Sequence, residues 1–185
     1  MRRPDLFCLP RIRLPRGYEI RTFLPGDETA WGAIMNHCIG SGWTPARCRT
    51  ALTEQPQFDP RGLFFALNAG RPVGTACAWR NPADETKVGY VHMVGVLPEH
   101  RGKRLGWRLT VEVLKYLRGH GFPEARLLTD DFRLSAIRSY VGTGFEPLHT
   151  HPSHPGRWRG VFEQLAHPPP RGKALTISLR PSRDH

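Results

Sequence analysis

The sequence lacks the features of a membrane-spanning or secreted protein. None of its 185 residues lies in an apolar run that approaches the ~18 residues of a membrane-spanning helix. The basic start, residues 1–17, contains no apolar stretch of the ~7–15 residues that a secretory signal needs. We therefore expect a protein that crosses no membrane and lies in the cytoplasm.

Cysteine is scarce, and the spacing of the cysteines excludes the common metal and redox motifs. The four cysteines are Cys8, Cys38, Cys48 and Cys77, and no two of them form a CxxC pair. We expect reduced, mostly buried thiols and no bound metal. Three histidines, His149, His151 and His154, lie in a proline-flanked stretch. We interpret this stretch as a surface loop or as a loop that borders an acceptor pocket.

Acidic residues are too few to balance the basic ones. Lysine and arginine number 27 against 16 aspartates and glutamates, which gives a formal net charge of +11. Such a charge favours an anionic partner, either nucleic acid or a phosphorylated cofactor. The basic residues are spread along the chain rather than collected in one block, so the sequence has no typical nucleic-acid-binding tail.

The composition, 39% hydrophobic and 23% charged, is that of one folded domain. We assign residues 1–17 to a basic, Pro/Arg-rich leader and expect the fold to begin at Tyr18. Residues 18–150 then form the main domain, and residues 151–185 form a C-terminal helix and strand that extend the same domain.

Hydrophobic periodicity predicts alternating strands and helices. Strands are expected at 18–24, 63–67, 72–79, 88–96, 125–129, 145–149 and 174–179. Helices are expected at 28–38, shortly after Thr44, and at 104–118, 134–141 and 155–165. This order predicts a mixed α/β layer with helices on both faces of the sheet.

The most informative segment joins the apolar strand 88–96 to the helix that follows it. The turn reads Arg101-Gly102-Lys103-Arg104-Leu105-Gly106. It matches neither a dinucleotide-binding glycine motif nor a P-loop. A helix N-terminus presents unpaired N–H groups and partial positive charge, and the basic side chains add full charges. The segment therefore predicts a pyrophosphate-binding strand–turn–helix.

This turn resembles the acetyl-CoA loop, R/Q-x-x-G-x-G/A, of the GNAT superfamily of N-acetyltransferases. A second GNAT signature is matched by Ala136, Tyr140, Gly144 and Phe145, and the resemblance extends over residues 18–149. It implies a mixed, mostly antiparallel sheet flanked by helices on both faces. It also implies acetyl transfer from acetyl-CoA to an amine acceptor, without a metal.

The resemblance further implies a role for each matching residue. The backbone of the Val94-Gly95-Val96 segment would bind the acetyl and pantetheine part of the cofactor, and the Val94 N–H would stabilise the oxyanion. The amides of residues 101–106 would hold the pyrophosphate. Ala136 would leave room for the pantetheine arm, and Tyr140 would protonate the departing thiolate.

For the general base we favour His92, with Tyr90 next. The alternatives are a hydrogen-bonded core histidine for His92 and a packing tyrosine for Tyr140. Strand alternation predicts that Tyr90, His92, Val94 and Val96 point the same way. Trp43, with His37, belongs to a helix–helix connection that borders the acceptor in this superfamily; a core aromatic is the equal alternative for Trp43.

Two residues depart from the GNAT pattern. Arg104 occupies the position of the middle glycine, and we expect it in a right-handed helical conformation with its N–H still exposed. Phe132-Arg133 stands where many relatives carry asparagine, which removes one expected polar contact to the cofactor.

Two other functions remain open: a nucleic-acid-associated basic protein and a CoA-binding domain without catalysis. The sequence does not specify the acceptor, because loops vary freely on one fold. Monomer and homodimer are both open.

Overall fold

The computed structural model of the chain describes residues 1–81 and 87–166. Its strands are β1 (Arg2–Arg3), β2 (Tyr18–Thr22), β3 (Leu63–Asn68), β4 (Arg71–Trp79), β5 (Val88–Val96) and β6 (Glu124–Arg126). Its helices are α1 (Glu28–Cys38), α2 (Pro45–Cys48), α3 (Leu105–Gly119), α4 (Leu134–Val141) and α5 (His154–Ala166). Short helical turns cover Arg49–Thr53, Pro60–Gly62 and Pro98–His100.

The described strands form one six-stranded sheet in the order β1-β6-β5-β4-β3-β2. All neighbouring pairs are antiparallel except β5 and β6, which are parallel. The sheet is therefore mixed and mostly antiparallel, as the sequence predicts.

Each face of the sheet is covered by a helix that buries one apolar stripe. On one face, α3 contributes Leu105, Leu109, Val113 and Leu117 to the larger core cluster. These residues form the stripe expected from their four-residue spacing. On the other face, α1 places Trp31, Ile34 and Met35 in a second cluster. The prediction of helices on both faces is confirmed.

Two predicted strands differ from the structure. The segment 145–149 does not form a strand; only Glu146 makes an isolated bridge, to Arg2. Pro147 has no N–H to donate to a strand ladder, which explains the interruption. The strand predicted at 125–129 ends at Arg126, and Leu128 is 89% exposed. The strand predicted at 174–179 lies outside the described residues.

Residues 1–17, expected to precede the fold, contribute to the sheet and the core. β1 pairs antiparallel with β6, and Met1 and Leu6 are buried. Arg3 is buried too, and its guanidinium donates to the carbonyls of Asp5, Cys8 and Thr143. The boundary expected at Tyr18 is therefore corrected. The short strand was hidden because it carries two arginines instead of an apolar alternation.

The buried start of the chain gives a direct stability test. Leu6 is 2% exposed and Phe7 is 80% exposed. Removing a buried leucine side chain leaves a cavity, so Leu6→Ala should lower the free energy of unfolding by about 2–5 kcal/mol. Phe7→Ala is the matched control and should change it by less than about 0.5 kcal/mol. Urea denaturation measures both, and equal effects would contradict the packing of this segment.

Candidate active site

The site begins where β5 loses its partner strand. The parallel pairing with β6 joins Val88–Tyr90 to residues 124–126 and then stops. The Leu97 N–H donates to the Val73 carbonyl (2.9 Å), so the neighbouring residue, Val96, directs its own N–H and C=O away from β4. The far end of β5 therefore presents a backbone edge that no other strand in the described part of the chain covers.

A bulge in β5 separates the side chains that the sequence placed together. Cys77 pairs with His92 and Thr75 pairs with Gly95, so β5 has one residue more than β4 between these pairs. Met93 has φ of 51°, which marks the bulge.

The bulge changes which face of the sheet the alternate side chains of β5 point to, before and after Met93. His92 is level with Cys77, which belongs to the α1 cluster, whereas Val94 and Val96 pack with the α3 cluster. Tyr90, opposite Trp79, lies on the same α1 face as His92. The prediction that Tyr90, His92, Val94 and Val96 point the same way is therefore wrong.

Beside the open edge of β5 lies a cavity of about 820 Å³. The predicted cofactor residues that line it are Val94, Gly95, Val96, Arg101, Gly102, Arg104, Leu105, Gly106 and Ala136, together with Tyr140. Lys103 is not among its lining residues; its Nζ donates to the Glu99 carbonyl (3.3 Å). The structure thus brings together the two sequence signatures, which lie on different helices.

Sequence reasoning missed a second group of lining residues. These are Cys38, Trp107, Ser135, Arg138, Ser139 and Gly142, and also Phe132 and Arg133, which the sequence marked only as a departure. Three of them, Trp107, Ser135 and Ser139, are adjacent to a matched motif residue, and Arg138 and Gly142 lie two residues from one, which was the available signal. Cys38 had no such signal, because it arrives through the packing of α1.

The turn before α3 contains two residues in the left-handed conformation. Gly102 has φ of 78° and Arg104 has φ of 54°. The expected right-handed conformation of Arg104 is therefore wrong. The turn must reverse direction before α3 begins, and a glycine at this position would allow it without strain. The Arg104 guanidinium lies over the Trp107 ring, 4.6 Å from its centroid.

Tyr140 lies in the last turn of α4 with its side chain buried against Phe145. Burial raises the pKa of its phenol to about 12, and the positive charge of Arg133 acts weakly in the opposite direction. The hydroxyl has no hydrogen-bond partner within residues 1–81 and 87–166. At neutral pH, Tyr140 is thus a protonated donor on the wall of the cavity.

Arg133 connects the two walls of the cavity. Its Nη1 donates to the carbonyl of Cys38 at the end of α1 (3.0 Å), and its Nε donates to Asp130 (2.8 Å). α1 comes this close because Gly95 has no side chain; a Cβ there would lie 3.0 Å from Met35 Cε and from Cys38 Cβ. The arginine that replaces the expected asparagine therefore has a structural partner.

The residues predicted on the acceptor side do not line the cavity. His92 stacks on Trp79, with ring centroids 5.5 Å apart, and burial lowers its pKa. Trp43 packs edge-on against buried Trp31 (5.3 Å), the core alternative, and His37 bonds the Ala33 carbonyl of its own helix (2.9 Å).

All four cysteines are free, but only Cys48 and Cys77 are buried. In the part of the chain that the structure describes, no three His, Cys, Asp or Glu side chains are grouped to hold a metal ion. No helix there is both long and apolar enough to cross a membrane.

The left-handed Arg104 predicts an unusual order of stabilities. Arg104→Ala and Arg104→Gly both remove the contact with Trp107, but only glycine adopts positive φ without steric cost. Arg104→Gly should therefore be more stable than Arg104→Ala by about 1 kcal/mol. Urea denaturation of the two variants tests this. An alanine variant as stable as the glycine variant would show that the turn is not strained.

The comparisons with known proteins agree with this geometry. Residues 33–145 match the profile of the Acetyltransferase (GNAT) family. The chain is similar to a mycothiol acetyltransferase of Thermobispora bispora: the two are 38% identical over an alignment 154 residues long, which covers 78% of this chain and 52% of that protein. A mycothiol acetyltransferase of Thermomonospora curvata is 40% identical over an alignment 152 residues long, which covers 78% of this chain and 50% of that protein. The chain spans about half the length of the curated relatives it matches.

Solved structures show the same fold. A GCN5-related N-acetyltransferase from Sphaerobacter thermophilus aligns with a TM-score of 0.67 and 27% identity, over 78% of this chain and 46% of that one. The ribosomal-protein-S18-alanine N-acetyltransferase of Escherichia coli aligns with a TM-score of 0.59 and 16% identity, over 71% and 79% of the two chains. Because the family profile matches more than half of the sequence, the chain belongs to the GNAT family of acetyltransferases.

Proposed function

We propose that this protein transfers the acetyl group of acetyl-CoA directly to an amine, with the thioester bound in the cavity beside β5. The observation that supports this most is the convergence, in one cavity, of an open strand edge, a helix N-terminus and the donor Tyr140. These three features suit, in turn, the amides of pantetheine, a pyrophosphate and a leaving thiolate.

The cofactor would lie along the open edge of β5. Pantetheine is an extended chain with amide groups, which can pair with the exposed backbone of Val94-Gly95-Val96 as an added strand would. Its pyrophosphate would reach Gly102, Leu105 and Gly106, at the N-terminus of α3. The charge of the wall fits this ligand: Arg101, Arg104, Arg133 and Arg138 line the cavity, and no acidic residue is among its described lining residues.

The chemistry then needs an oxyanion donor and an acid. Attack of the amine nitrogen on the thioester carbonyl forms the new C–N bond and a negatively charged oxygen, to which the Val94 N–H would donate. Collapse of this intermediate breaks the C–S bond. The thiolate would take the proton of Tyr140, whose high pKa keeps that proton in place until then.

The acceptor would approach from the α1 face, opposite the thioester. His92 and Tyr90 lie on that face, and we propose His92 as the base that removes the proton of the amine. Because burial lowers the pKa of His92, its imidazole is neutral at pH 7 and can accept a proton. His37, on the same side of the sheet, would border the acceptor, and Trp43, which packs on Trp31 but is only half-buried, would border it with its exposed part.

The names of the relatives suggest which acceptor to test first. Both are mycothiol acetyltransferases, so a mycothiol precursor with a free amine heads the panel. Peptide N-termini and lysine peptides complete it. The direct test measures thiol release from acetyl-CoA with each amine, after treatment with a chelator. If calorimetry shows acetyl-CoA binding but no thiol is released with any amine, a non-catalytic CoA-binding domain is favoured. If the protein neither binds acetyl-CoA nor releases thiol but binds RNA in a salt-sensitive way, the nucleic-acid alternative is favoured.

Replacement of Tyr140 tests the proposed acid. Tyr140→Phe keeps the ring and removes a hydroxyl that has no partner in the described chain, so stability and acetyl-CoA affinity should stay near wild type. The kcat should fall by about 10- to 1000-fold, the low end of general-acid catalysis, because thiolates leave fairly well unaided.

Tyr116→Phe is the matched control for that experiment. Tyr116 is also on a helix, but its hydroxyl donates to Asp59 (2.6 Å), outside the cavity. This variant should lose about 1 kcal/mol of stability and keep its kcat. A fully active Tyr140→Phe would show that Tyr140 only packs.

The pH dependence tests His92. As the base, His92 must be neutral, and its pKa lies below the usual 6.5. The kcat should therefore hold at neutral pH and fall only below 6.5, and Tyr140 should cause no alkaline loss until about pH 12. His92→Gln should lower kcat by about 100-fold or more and remove the acidic fall. Circular dichroism at each pH separates this from unfolding, and an unchanged acidic fall in His92→Gln would exclude His92.

A further inference from the structure

The carbonyl of Val96 carries two side-chain donors at the cavity wall. The Arg101 Nε donates to it at 3.1 Å, and the Cys38 Sγ donates at 3.4 Å. A carbonyl oxygen has two lone pairs, so these donors use its whole capacity. Yet this carbonyl lies on the open edge of β5, where an extended chain of amides would form its own hydrogen bonds.

An incoming amide N–H must therefore replace one of the two donors. Cys38 is half-buried and fixed by the packing of α1 against Gly95. Arg101 is exposed and reaches Val96 only through its long side chain, so it can leave without moving a structural element. Arg101 is the donor that gives way.

The chemistry of Arg101 then couples two parts of one ligand. A guanidinium that leaves a neutral carbonyl gains by binding a phosphate, because the phosphate carries the opposite charge and can accept two parallel N–H···O bonds from the guanidinium. The N-terminus of α3, which favours anions, lies next to Arg101 along the same wall. A ligand with both an amide chain and a phosphate can satisfy Val96 and Arg101 together.

We propose that Arg101 makes this site selective for thioesters that carry phosphate, by occupying the Val96 carbonyl until a phosphate takes its guanidinium. This inference rests on the proposed function, because it assumes that the acyl donor binds in this cavity. A phosphate-free thioester has to displace Arg101 and offers it no new partner. Its binding therefore breaks the Arg101–Val96 hydrogen bond without a replacement, whereas acetyl-CoA gives the Arg101 guanidinium a phosphate to bind.

The test compares acetyl-CoA with S-acetylpantetheine, which has the same amide chain and thioester but no phosphate. Dissociation constants are measured for the wild type and for Arg101→Ala, with melting temperatures as a check on folding. Arg101→Ala should weaken acetyl-CoA binding by about 10-fold and tighten S-acetylpantetheine binding by about two- to five-fold. Opposite changes in the affinities for the two ligands would identify the exchange, because general damage to the site would weaken the binding of both.

Two further variants separate the hydrogen bond from the charge. Arg101→Gln removes the charge but keeps an N–H donor that can reach Val96, so it should weaken acetyl-CoA binding without tightening S-acetylpantetheine binding. Arg49→Ala removes one exposed positive charge outside the cavity lining and should leave both ligands unchanged.

The outcomes distinguish this inference from the proposed function. If the wild type does not bind acetyl-CoA, the proposed function is wrong and the inference fails with it. If acetyl-CoA binds, but Arg101→Ala weakens S-acetylpantetheine binding or leaves it unchanged, the inference alone is overturned.

Discussion

The candidate site depends on one constraint: β5 continues past the end of β6. Backbone N–H and C=O groups in a folded protein need partners, and beyond Tyr90 the described part of β6 offers none to β5. The next helices along the chain, α3 after β5 and α4 after β6, both line the cavity beside this edge. An unpaired strand edge is usually a liability, and here it is enclosed on either side by helices that limit what can pair with it.

The bulge at Met93 gives this edge two different sides. Val94 and Val96 face the α3 cluster and the cavity, whereas His92 and Tyr90 face α1. A thioester that lies along the edge and an amine that comes from the α1 side would meet at the open edge of the strand, beside the backbone of Val94 and Gly95. Gly95 also lets α1 approach, so the same residue sets the distance between the two sides.

Local patterns in the sequence predicted the parts of this arrangement that are local in the chain. α1, α4 and β5 lie within the predicted bounds, and the loop 101–106 and Tyr140 both reach the cavity, because each depends on neighbours a few residues away. The bulge, the bond from Arg133 to Cys38 and the pairing of β1 with β6 depend on residues far apart in the chain, and no spacing rule reports them. The left-handed Arg104 is an intermediate case. The glycine expected there was itself a sign that the position needs positive φ.

The residues proposed for the cofactor and for the acceptor differ in the same way, as contacts that are local in the chain differ from distant ones. The proposed cofactor side would consist of backbone amides, a helix N-terminus and arginines on one continuous strand–turn–helix, so a short motif is enough to encode it. The proposed acceptor side would be assembled from α1, the connection to α2 and the far face of β5. Side chains there are held by packing, as Trp43 is by Trp31. Such contacts can change from protein to protein without disturbing the cofactor motif. This is why the residues of this chain indicate acetyl transfer clearly while leaving the amine to experiment.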